Sequence, residues 1–280
     1  MKFYFVENQI EYNNFVNVER EKINAHNRYI GMKVPEKQVE FVVKGYSYVA
    51  KKEVDFQCDF QYSVGYPSVN WRERLICPIT GFNNRLRFSI HVIDSLLNLN
   101  SESSVYIMEQ VTPMYSYMSD RYINLIGSEY LGEEVPFGAT NERDIRNEDC
   151  TKLSFAGESL DAILSYDVFE HIPNFGLAFE ECYRVLKKGG RLLFSAPFDA
   201  NSYSNVIRAV HDKSGKVVHL LEPEFHGDPV GAGGILCYQY FGWEVINDLK
   251  KLGFSRVSAI IGWSEEFCYF EPQIQFIAIK

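Results

Sequence analysis

The sequence lacks a long apolar run. Nowhere do about 18 apolar residues follow one another, the length that a membrane-spanning helix needs. The amino-terminal segment also lacks the apolar stretch of a secretory signal, because Glu7 and further polar residues interrupt it. These two absences lead us to expect a cytoplasmic protein with no membrane span.

Positive charge is scarce as well. Lys and Arg number 28 against 37 Asp and Glu, which gives a formal net charge of -9, and no window holds a long Lys/Arg cluster. Proteins that grip phosphate backbones carry such clusters. Nucleic acid is therefore not an expected partner.

Paired cysteines are missing. The six cysteines form no C-x-x-C, so neither a disulfide framework nor a zinc ribbon is indicated. The segment from Cys77 to Gly81 is similar to a zinc knuckle in which Thr80 stands where the second thiolate belongs. The alternative interpretation of this segment is a tight turn with a buried thiol.

A metal-binding pattern is weak elsewhere too. His219, Glu222 and His226 have helical spacing, but Pro223 interrupts that helix. We therefore predict no metal site. No G-x-G-x-x-G follows any predicted strand, which argues against a nicotinamide-dependent oxidoreductase.

What is present is an average globular composition, with 46% hydrophobic and 23% charged residues. The 280 residues allow one large domain or two modest ones. Strand-like runs between Val39 and Val49 flank a predicted turn at Lys44-Gly45, so residues 1–75 are predicted to form a small β-containing region. Residues 76–280 are predicted to form the main domain.

The main domain alternates predicted strands and helices, which is typical of an α/β fold with a mostly parallel sheet and helices on both faces. Thr112 and Pro113 mark the start of one helix, and Gly189-Gly190 is predicted to stop another. The predicted helices cover 86–97, a segment from 113, 175–187 and 243–252, and the predicted strands cover 105–108, 123–126, 160–165, 191–196, 257–261 and 274–279.

Polar residues follow the predicted strands where such a sheet binds its ligands, at the carboxyl ends. An acid after the second strand suits the two hydroxyls of a ribose, and an acid after the next suits an adenine amine. Each acid alone has the alternative interpretation of a solvated charge at a strand end. The residues so placed are Glu109, Gln110, Glu129, Asp149, Ser165, Tyr166 and Asp167.

Three segments carry a family resemblance: Asn147–Phe155, Ser159–His171 and Glu180–Leu193. The most specific part is D-x-I-L-S-x-D-V-x-E-H followed by E-x-x-R-V-L-x-x-G-G-R-L. From about residue 100 to 280 the chain resembles the class I S-adenosylmethionine-dependent methyltransferases, type 11. This resemblance implies a Rossmann-like seven-stranded sheet, S-adenosylmethionine as cofactor and a methyltransferase activity.

The resemblance also implies roles for individual residues. Those expected at the cofactor are Glu109 and Gln110 after the first strand, Glu129 and Tyr130 at the ribose, Asp149 and Cys150 at the adenine, and Ser165 and Tyr166 at the methionyl end. Asp167, Glu170 and His171 are expected beside the substrate opening. Asp167 and His171 are predicted catalytic residues, although the position of His171 also suits packing and capping.

The sequence departs from the family in the first loop, Met108 to Met114, which has no glycine to let the backbone approach a cofactor. Residues 132–143 depart as well, because they are predicted to form a loop where the fold usually has a helix. A catalytically inactive binding or scaffold protein is therefore the alternative function.

Residues 199–240 are predicted to be an insertion that recognises the substrate. Within it, His226 with Glu224 or Asp228 has the composition of a general base, and a self-stabilised turn is the alternative. The predicted function is methyl transfer from S-adenosylmethionine to an oxygen or nitrogen of a small-molecule or glycan-like acceptor.

Overall fold

The computed structural model describes residues 1–36, 39–227, 230–231 and 233–280. Its helices are α1 (Gln9–Val18), α2 (Arg20–Gly31), α3 (Asn84–Val92), α4 (Pro113–Ser119), α5 (Phe175–Val185) and α6 (Glu244–Lys251). Its strands are β1 (Tyr4–Val6), β2 (Glu40–Ser47), β3 (Lys52–Asp59), β4 (Ser104–Ile107), β5 (Asn124–Gly127), β6 (Leu160–Tyr166), β7 (Leu186–Ser195), β8 (Val206–Ile207), β9 (Ala209–His211), β10 (Val217–His219), β11 (Phe225–His226), β12 (Ile235–Leu236), β13 (Gln239–Tyr240), β14 (Arg256–Ser264) and β15 (Tyr269–Ile279).

A seven-stranded sheet has the order β1-β14-β15-β7-β6-β4-β5. β4 pairs in parallel with β5 on one side and β6 on the other, and β6 pairs in parallel with β7. β15 runs antiparallel to β7. The chain thus reverses its winding direction between β4 and β6, which opens a crevice at their carboxyl ends. The predicted Rossmann-like α/β fold is confirmed.

The sheet departs from the prediction at both edges. A weak third strand was expected before Asp149, and the structure has an isolated parallel bridge between Glu129 and Asn147 there. The seventh strand of the sheet is β1, from the start of the chain. An isolated bridge and a strand of three residues are both too short to show a periodic sequence signal, so neither was predicted.

The chain divides into two compact units. Unit 1 comprises Met1–Val6, Ile10–Asn98 and Ile260–Ile274, and unit 2 comprises Glu7–Gln9, Leu99–Ala259 and Gln275–Lys280. The domain boundary expected near residue 75 stays a prediction, because compactness is no test of independent folding. No helix among the described residues is both long and apolar enough to cross a bilayer.

Unit 1 contains α1, α2 and a β2–β3 hairpin in full register from Glu40–Asp59 to Ser47–Lys52. The turn predicted at Lys44-Gly45 is wrong, because both residues lie inside β2. Gly45 serves close packing instead: a Cβ there would lie 2.3 Å from the Cys268 sulfur. The predicted helix 86–97 is α3 followed by a π-helical segment, Ile93–Leu97.

The Cys77–Gly81 segment is a tight turn with a buried thiol. The Gly81 N–H donates to the Cys77 carbonyl at 2.9 Å, and the Cys77 N–H donates to the Phe82 carbonyl at 2.9 Å. The Cys77 sulfur is fully buried and lies 3.5 Å from the Ser47 hydroxyl. The thiol therefore belongs to the core of unit 1.

Arg87 is fully buried in unit 1. Its guanidinium donates to the carbonyls of Phe267 at 2.7 Å and Cys268 at 2.9 Å, and lies 4.0 Å from the ring centroid of Phe56. Arg87→Met would leave both carbonyls buried without these donors, so we expect the free energy of unfolding to fall by about 3 kcal/mol.

Urea denaturation measures this loss. Arg20→Met is the matched control, since Arg20 is exposed and bonded to the Asn17 side chain, and should change stability by less than about 0.5 kcal/mol. Equal stability of the two variants would contradict the structural role of Arg87.

In unit 2, α4 begins as predicted, with the Thr112 hydroxyl accepting from the Tyr115 N–H at 3.2 Å. The helix stop predicted at Gly189-Gly190 is wrong. α5 ends at Val185, and both glycines lie in β7, where the β6–β7 register shifts. A Cβ at Gly190 would lie 2.8 Å from the Lys187 carbonyl, so the glycine permits this irregularity.

The described residues of the segment 199–240 form no regular layer. They contain three short antiparallel pairs, β8–β13, β9–β10 and β11–β12. The sequence predicted this stretch only as irregular, because strands of two or three residues are too short to show alternation.

Candidate functional site

The loop after β4 is held by a carboxylate from the end of β5. Glu129 Oε1 accepts from the backbone N–H of Gln110 at 2.7 Å and of Val111 at 3.0 Å. Two N–H groups on one anionic oxygen fix the backbone of a loop that has no glycine. These two bonds order the backbone of the loop in which the sequence lacks the glycine that the resemblance implies.

A glycine at the end of β5, Gly127, packs closely against the loop after β4. A Cβ on Gly127 would lie 2.5 Å from the Tyr115 ring and 2.8 Å from the Glu109 carbonyl oxygen. Only glycine permits this approach of loop, helix and strand. Gly127 was missed by sequence reasoning, although a glycine at a strand end is a signal for close approach.

Gly127→Ala is therefore expected to lower the free energy of unfolding by about 1–3 kcal/mol, through the clash with a backbone oxygen. Chemical denaturation checks this. Gly157→Ala is the control, since its nearest neighbour, the Arg184 carbonyl, is at 3.5 Å, an ordinary contact. An equal loss in both variants would show that the Gly127 contact is not special.

The Gln110 side chain is committed to the loop at 144–146. Its Nε2 donates to the Asp144 carbonyl at 2.7 Å, and its Oε1 accepts from the Arg146 N–H at 2.7 Å. Gln110 thus joins the loop after β4 to residues 144–146. Tyr130, by contrast, is 63% exposed, beyond the end of β5.

Asn147 is a buried residue that sequence reasoning missed. Its Oδ1 accepts from the Leu131 N–H at 2.7 Å, and its Nδ2 donates to the Gly132 carbonyl at 2.7 Å. One amide side chain thus folds the loop that replaces the expected helix. Its motif position before Asp149 gave no hint of this, because its partners are distant in the sequence.

Asp149 and Cys150 follow the bridge at Asn147. Asp149 Oδ1 accepts from the Thr151 N–H at 2.8 Å and the Thr151 hydroxyl at 2.7 Å, which closes a local turn. Burial, together with the charge of Asp149, raises the pKa of Cys150 to about 12, so the residue is a neutral thiol. A neutral, half-buried surface of this kind suits a flat apolar ring.

Ser165, Tyr166 and Asp167 lie at the end of β6. Ser165 is fully buried, and among the described residues its hydroxyl has no hydrogen-bond partner. Asp167 has a left-handed backbone (φ 56°), and its Oδ1 accepts from the Ser195 hydroxyl at 2.9 Å. β6 and β7 thus fix the position of Asp167 at the edge of the crevice.

Glu170, His171 and His226 come together beyond β6, and we call them the Glu170 cluster. Glu170 is fully buried on a short 3-10 turn, Phe169–His171. Its Oε1 lies 3.5 Å from His226 Nδ1 and 3.7 Å from His171 Nε2. The two imidazole rings are 4.9 Å apart, edge to face.

Each histidine of the cluster is held on its far side. His171 Nδ1 lies 2.8 Å from the Leu236 carbonyl and donates to it. His226 Nε2 lies 3.2 Å from Glu224 Oε1, and Glu224 also accepts from the Tyr240 hydroxyl. These contacts leave His171 Nε2 and His226 Nδ1 directed at Glu170.

Further residues of the insertion support the cluster. Gln239 Nε2 donates to the Phe169 carbonyl at 2.6 Å and to the Ile172 carbonyl at 3.1 Å, which pins the turn that carries Glu170. Arg208 lies 3.1 Å from Glu224 Oε2. Sequence reasoning missed Gln239 and Arg208, because they lie in or beside strands too short to show a pattern.

Burial and charge set the pKa values within the cluster. Burial raises the pKa of Glu170 to about 7, against the opposing effect of His226. The bond to Glu170 raises the pKa of His226 against burial, and Glu224 adds to this rise. Burial lowers the pKa of His171. The cluster thus holds the carboxyl group of Glu170 near its charge transition at neutral pH.

The sequence associates His226 with two other sets of residues, the spaced set His219 and Glu222 and the nearby Asp228. His219 is exposed on β10, apart from a helix, so the spacing of His219, Glu222 and His226 has no helical meaning in the structure. Asp228, the alternative partner of His226, lies outside the described residues. Glu224 is the partner that the structure shows.

Part of the chain is similar in sequence to known proteins. Residues 113–194 match the family model described as "Methyltransferase domain". The ubiquinone biosynthesis O-methyltransferase of Agrobacterium fabrum is 26% identical over 126 residues, which cover 40% of this chain and 50% of that protein. The chain thus spans half the length of the curated relative that it matches.

The chain is also similar in structure to solved proteins. An S-adenosylmethionine dependent methyltransferase from Mesorhizobium loti has 16% identity and a TM-score of 0.39, with 67% of this chain and 100% of that one covered. A phosphoethanolamine N-methyltransferase 2 of Haemonchus contortus, solved with S-adenosylhomocysteine, has 11% identity and a TM-score of 0.41, with 69% and 52% covered. The match of residues 113–194 to a methyltransferase-domain model confirms the resemblance to methyltransferases that was found in the sequence.

Proposed function

We propose that this protein transfers a methyl group from S-adenosylmethionine to an oxygen or nitrogen atom of a small-molecule or glycan-like acceptor. The observation that carries the proposal is the buried Glu170 cluster, because it follows β6 directly and lies at the sheet edge where this fold binds its ligands. The carboxylate of Glu170 is fully buried and faces the imidazoles of His226 and His171 at 3.5 and 3.7 Å.

The residues at the crevice fit the cofactor. The buried Ser165 hydroxyl has no hydrogen-bond partner among the described residues, so it is available to a polar group of a ligand. We assign Glu129 and Tyr130 to the ribose, and Ser165 and Tyr166 to the methionyl part. Glu109 is assigned to the ammonium group, with Gln110 supporting the loop.

Asp149 and Cys150 are assigned to the adenine, where a carboxylate accepts from the exocyclic amine and a neutral thiol packs on the ring. When bound, the cofactor supplies a methyl group on a positively charged sulfur. The protein then has to align the acceptor atom with that methyl group and remove a proton from a hydroxyl or amine acceptor.

The Glu170 cluster and Asp167 are proposed to perform these steps. Asp167 is fixed by Ser195 at the mouth of the crevice and can accept a hydrogen bond from the acceptor. His171 and His226, predicted as catalytic from the sequence, flank Glu170 at 3.7 and 3.5 Å and border the place of the reacting atom. The cytoplasmic location stays a prediction.

Calorimetric titration of the purified protein with S-adenosylmethionine, S-adenosylhomocysteine and NAD tests the cofactor assignment. We expect micromolar binding of the first two and none of NAD. A screen of phenols, amines and glycosides then follows, with release of S-adenosylhomocysteine as readout. Failure of both sulfur compounds to bind would favour the inactive scaffold alternative.

A further inference from the structure

We propose that Glu170, His171 and His226 form a binding site for one divalent first-row transition-metal cation. Two imidazoles and one carboxylate are a donor set that holds such ions with positions left open for other ligands. The site is independent of the proposed function, although its use by an acceptor, described below, rests on that function.

The spacing of the three donor atoms fits one metal ion. The donor atoms all lie within 4.8 Å of one another, with Glu170 Oε1 at 3.5 Å from His226 Nδ1 and 3.7 Å from His171 Nε2. With metal–ligand distances of about 2.1 Å, tetrahedral ligand atoms lie about 3.4 Å apart. A small movement of two side chains would therefore close the site around an ion.

The outer contacts already orient both histidines for this role. Ligating histidines usually donate their other N–H to a carbonyl or carboxylate. His171 Nδ1 donates to the Leu236 carbonyl at 2.8 Å, and His226 Nε2 faces Glu224 at 3.2 Å. The remaining nitrogen of each ring, which carries the lone pair in this tautomer, faces Glu170.

The buried carboxylate supplies an independent observation. Glu170 is fully buried, and among the described residues neither of its oxygens forms a well-made hydrogen bond. An uncompensated buried carboxylate is costly. A cation between Glu170 and the imidazoles would neutralise this charge, which no other group in the cluster does without protonation.

The backbone around the site is fixed in advance. The Tyr238 N–H donates to the Glu170 carbonyl at 2.7 Å, and the Cys237 N–H donates to the Glu224 carbonyl at 2.8 Å. These bonds join the ligands after β6 to the ligand on β11, so the site needs little ordering when the ion binds.

Three protein ligands leave room for the acceptor. Acceptors with two neighbouring oxygens, such as vicinal diols and ortho-dihydroxy aromatics, would occupy the open positions as bidentate ligands. The ion would lower the pKa of the bound hydroxyl and orient it. His226 would then act as a ligand, and the proton of the metal-bound hydroxyl would pass to solvent water rather than to a histidine base.

Binding of Zn²⁺ and Co²⁺ to tag-free protein, previously treated with EDTA and dialysed, tests the site. We expect one equivalent per chain, and an absorption band of Co²⁺ typical of nitrogen and oxygen ligands. Glu224→Gln should weaken binding about 10–100-fold, as loss of outer-shell support does. Glu170→Gln and His226→Ala each remove a ligand and should weaken it by more than that.

Glu222→Gln and His219→Ala are the matched controls, since both side chains are exposed in the same insertion. They should bind as the unaltered chain does, and circular dichroism should show all variants folded. Absence of binding, or binding that Glu170→Gln and His226→Ala leave unchanged, would overturn the proposal. Binding of S-adenosylmethionine in EDTA would then still support the proposed function.

Discussion

Glu170→Gln is expected to lower the turnover number about 10²–10⁴-fold and to leave the affinity for S-adenosylmethionine close to that of the unaltered protein. The substitution keeps the shape of a fully buried side chain and removes its charge. Glu170 faces both histidines of the cluster, so the loss affects the acceptor side of the site. Turnover is measured with an acceptor from the screen, and cofactor affinity by calorimetry.

Glu222→Gln is the control for this experiment, because it makes the same chemical change on an exposed side chain of the insertion. It should leave turnover unchanged. If Glu170→Gln turned over as fast as Glu222→Gln, the cluster would have no part in the reaction. If cofactor affinity fell equally, Glu170 would belong to the cofactor pocket instead.

Local signals in the sequence were sufficient to predict the central strands of the sheet and the start of α4. The apolar runs of β4 and β6 are fully buried between neighbours, and Thr112 caps α4 as its hydroxyl and the following proline indicate. The rule that ligands bind at the carboxyl ends of strands then selected Glu129 and Asp167. Both lie at that edge in the structure.

The features that could not be predicted from the sequence depend on contacts between residues far apart in the chain. Gly45 was interpreted as a turn residue, yet it makes room for the Cys268 sulfur, a partner far along the chain. Asn147 orders a loop through its amide, and Gln239 pins the turn of Glu170. A single sequence gives no periodic or spacing signal for such contacts, because each depends on where another segment lies.

The Glu170 cluster shows the same limit in the candidate site. Glu170 and His171 are adjacent and belong to the recognised motif, whereas His226 comes from an insertion of short strands. His226 was selected for its acidic neighbour Glu224, and that contact exists at 3.2 Å. Its second contact, to Glu170, required the fold.

Glu129→Ala is the second substitution with a large expected effect, a loss of affinity for S-adenosylmethionine of about 100-fold or more. The alanine removes two contributions to affinity, the loop contacts and the proposed ribose contacts. Each hydrogen bond to a charged group is worth about 1.5–3 kcal/mol. The loop contacts are the N–H groups of Gln110 and Val111, at 2.7 and 3.0 Å from Glu129 Oε1.

Glu129→Gln separates these two contributions. A glutamine oxygen can still accept from both loop N–H groups, but its amide presents a donor where a carboxylate would accept from a ribose hydroxyl. If the carboxylate binds the ribose, Glu129→Gln should lose most of the affinity that Glu129→Ala loses, with the fold unchanged by circular dichroism. If Glu129→Gln binds the cofactor as tightly as the unaltered protein, Glu129 acts only by shaping the loop, and the ribose must be held by another group.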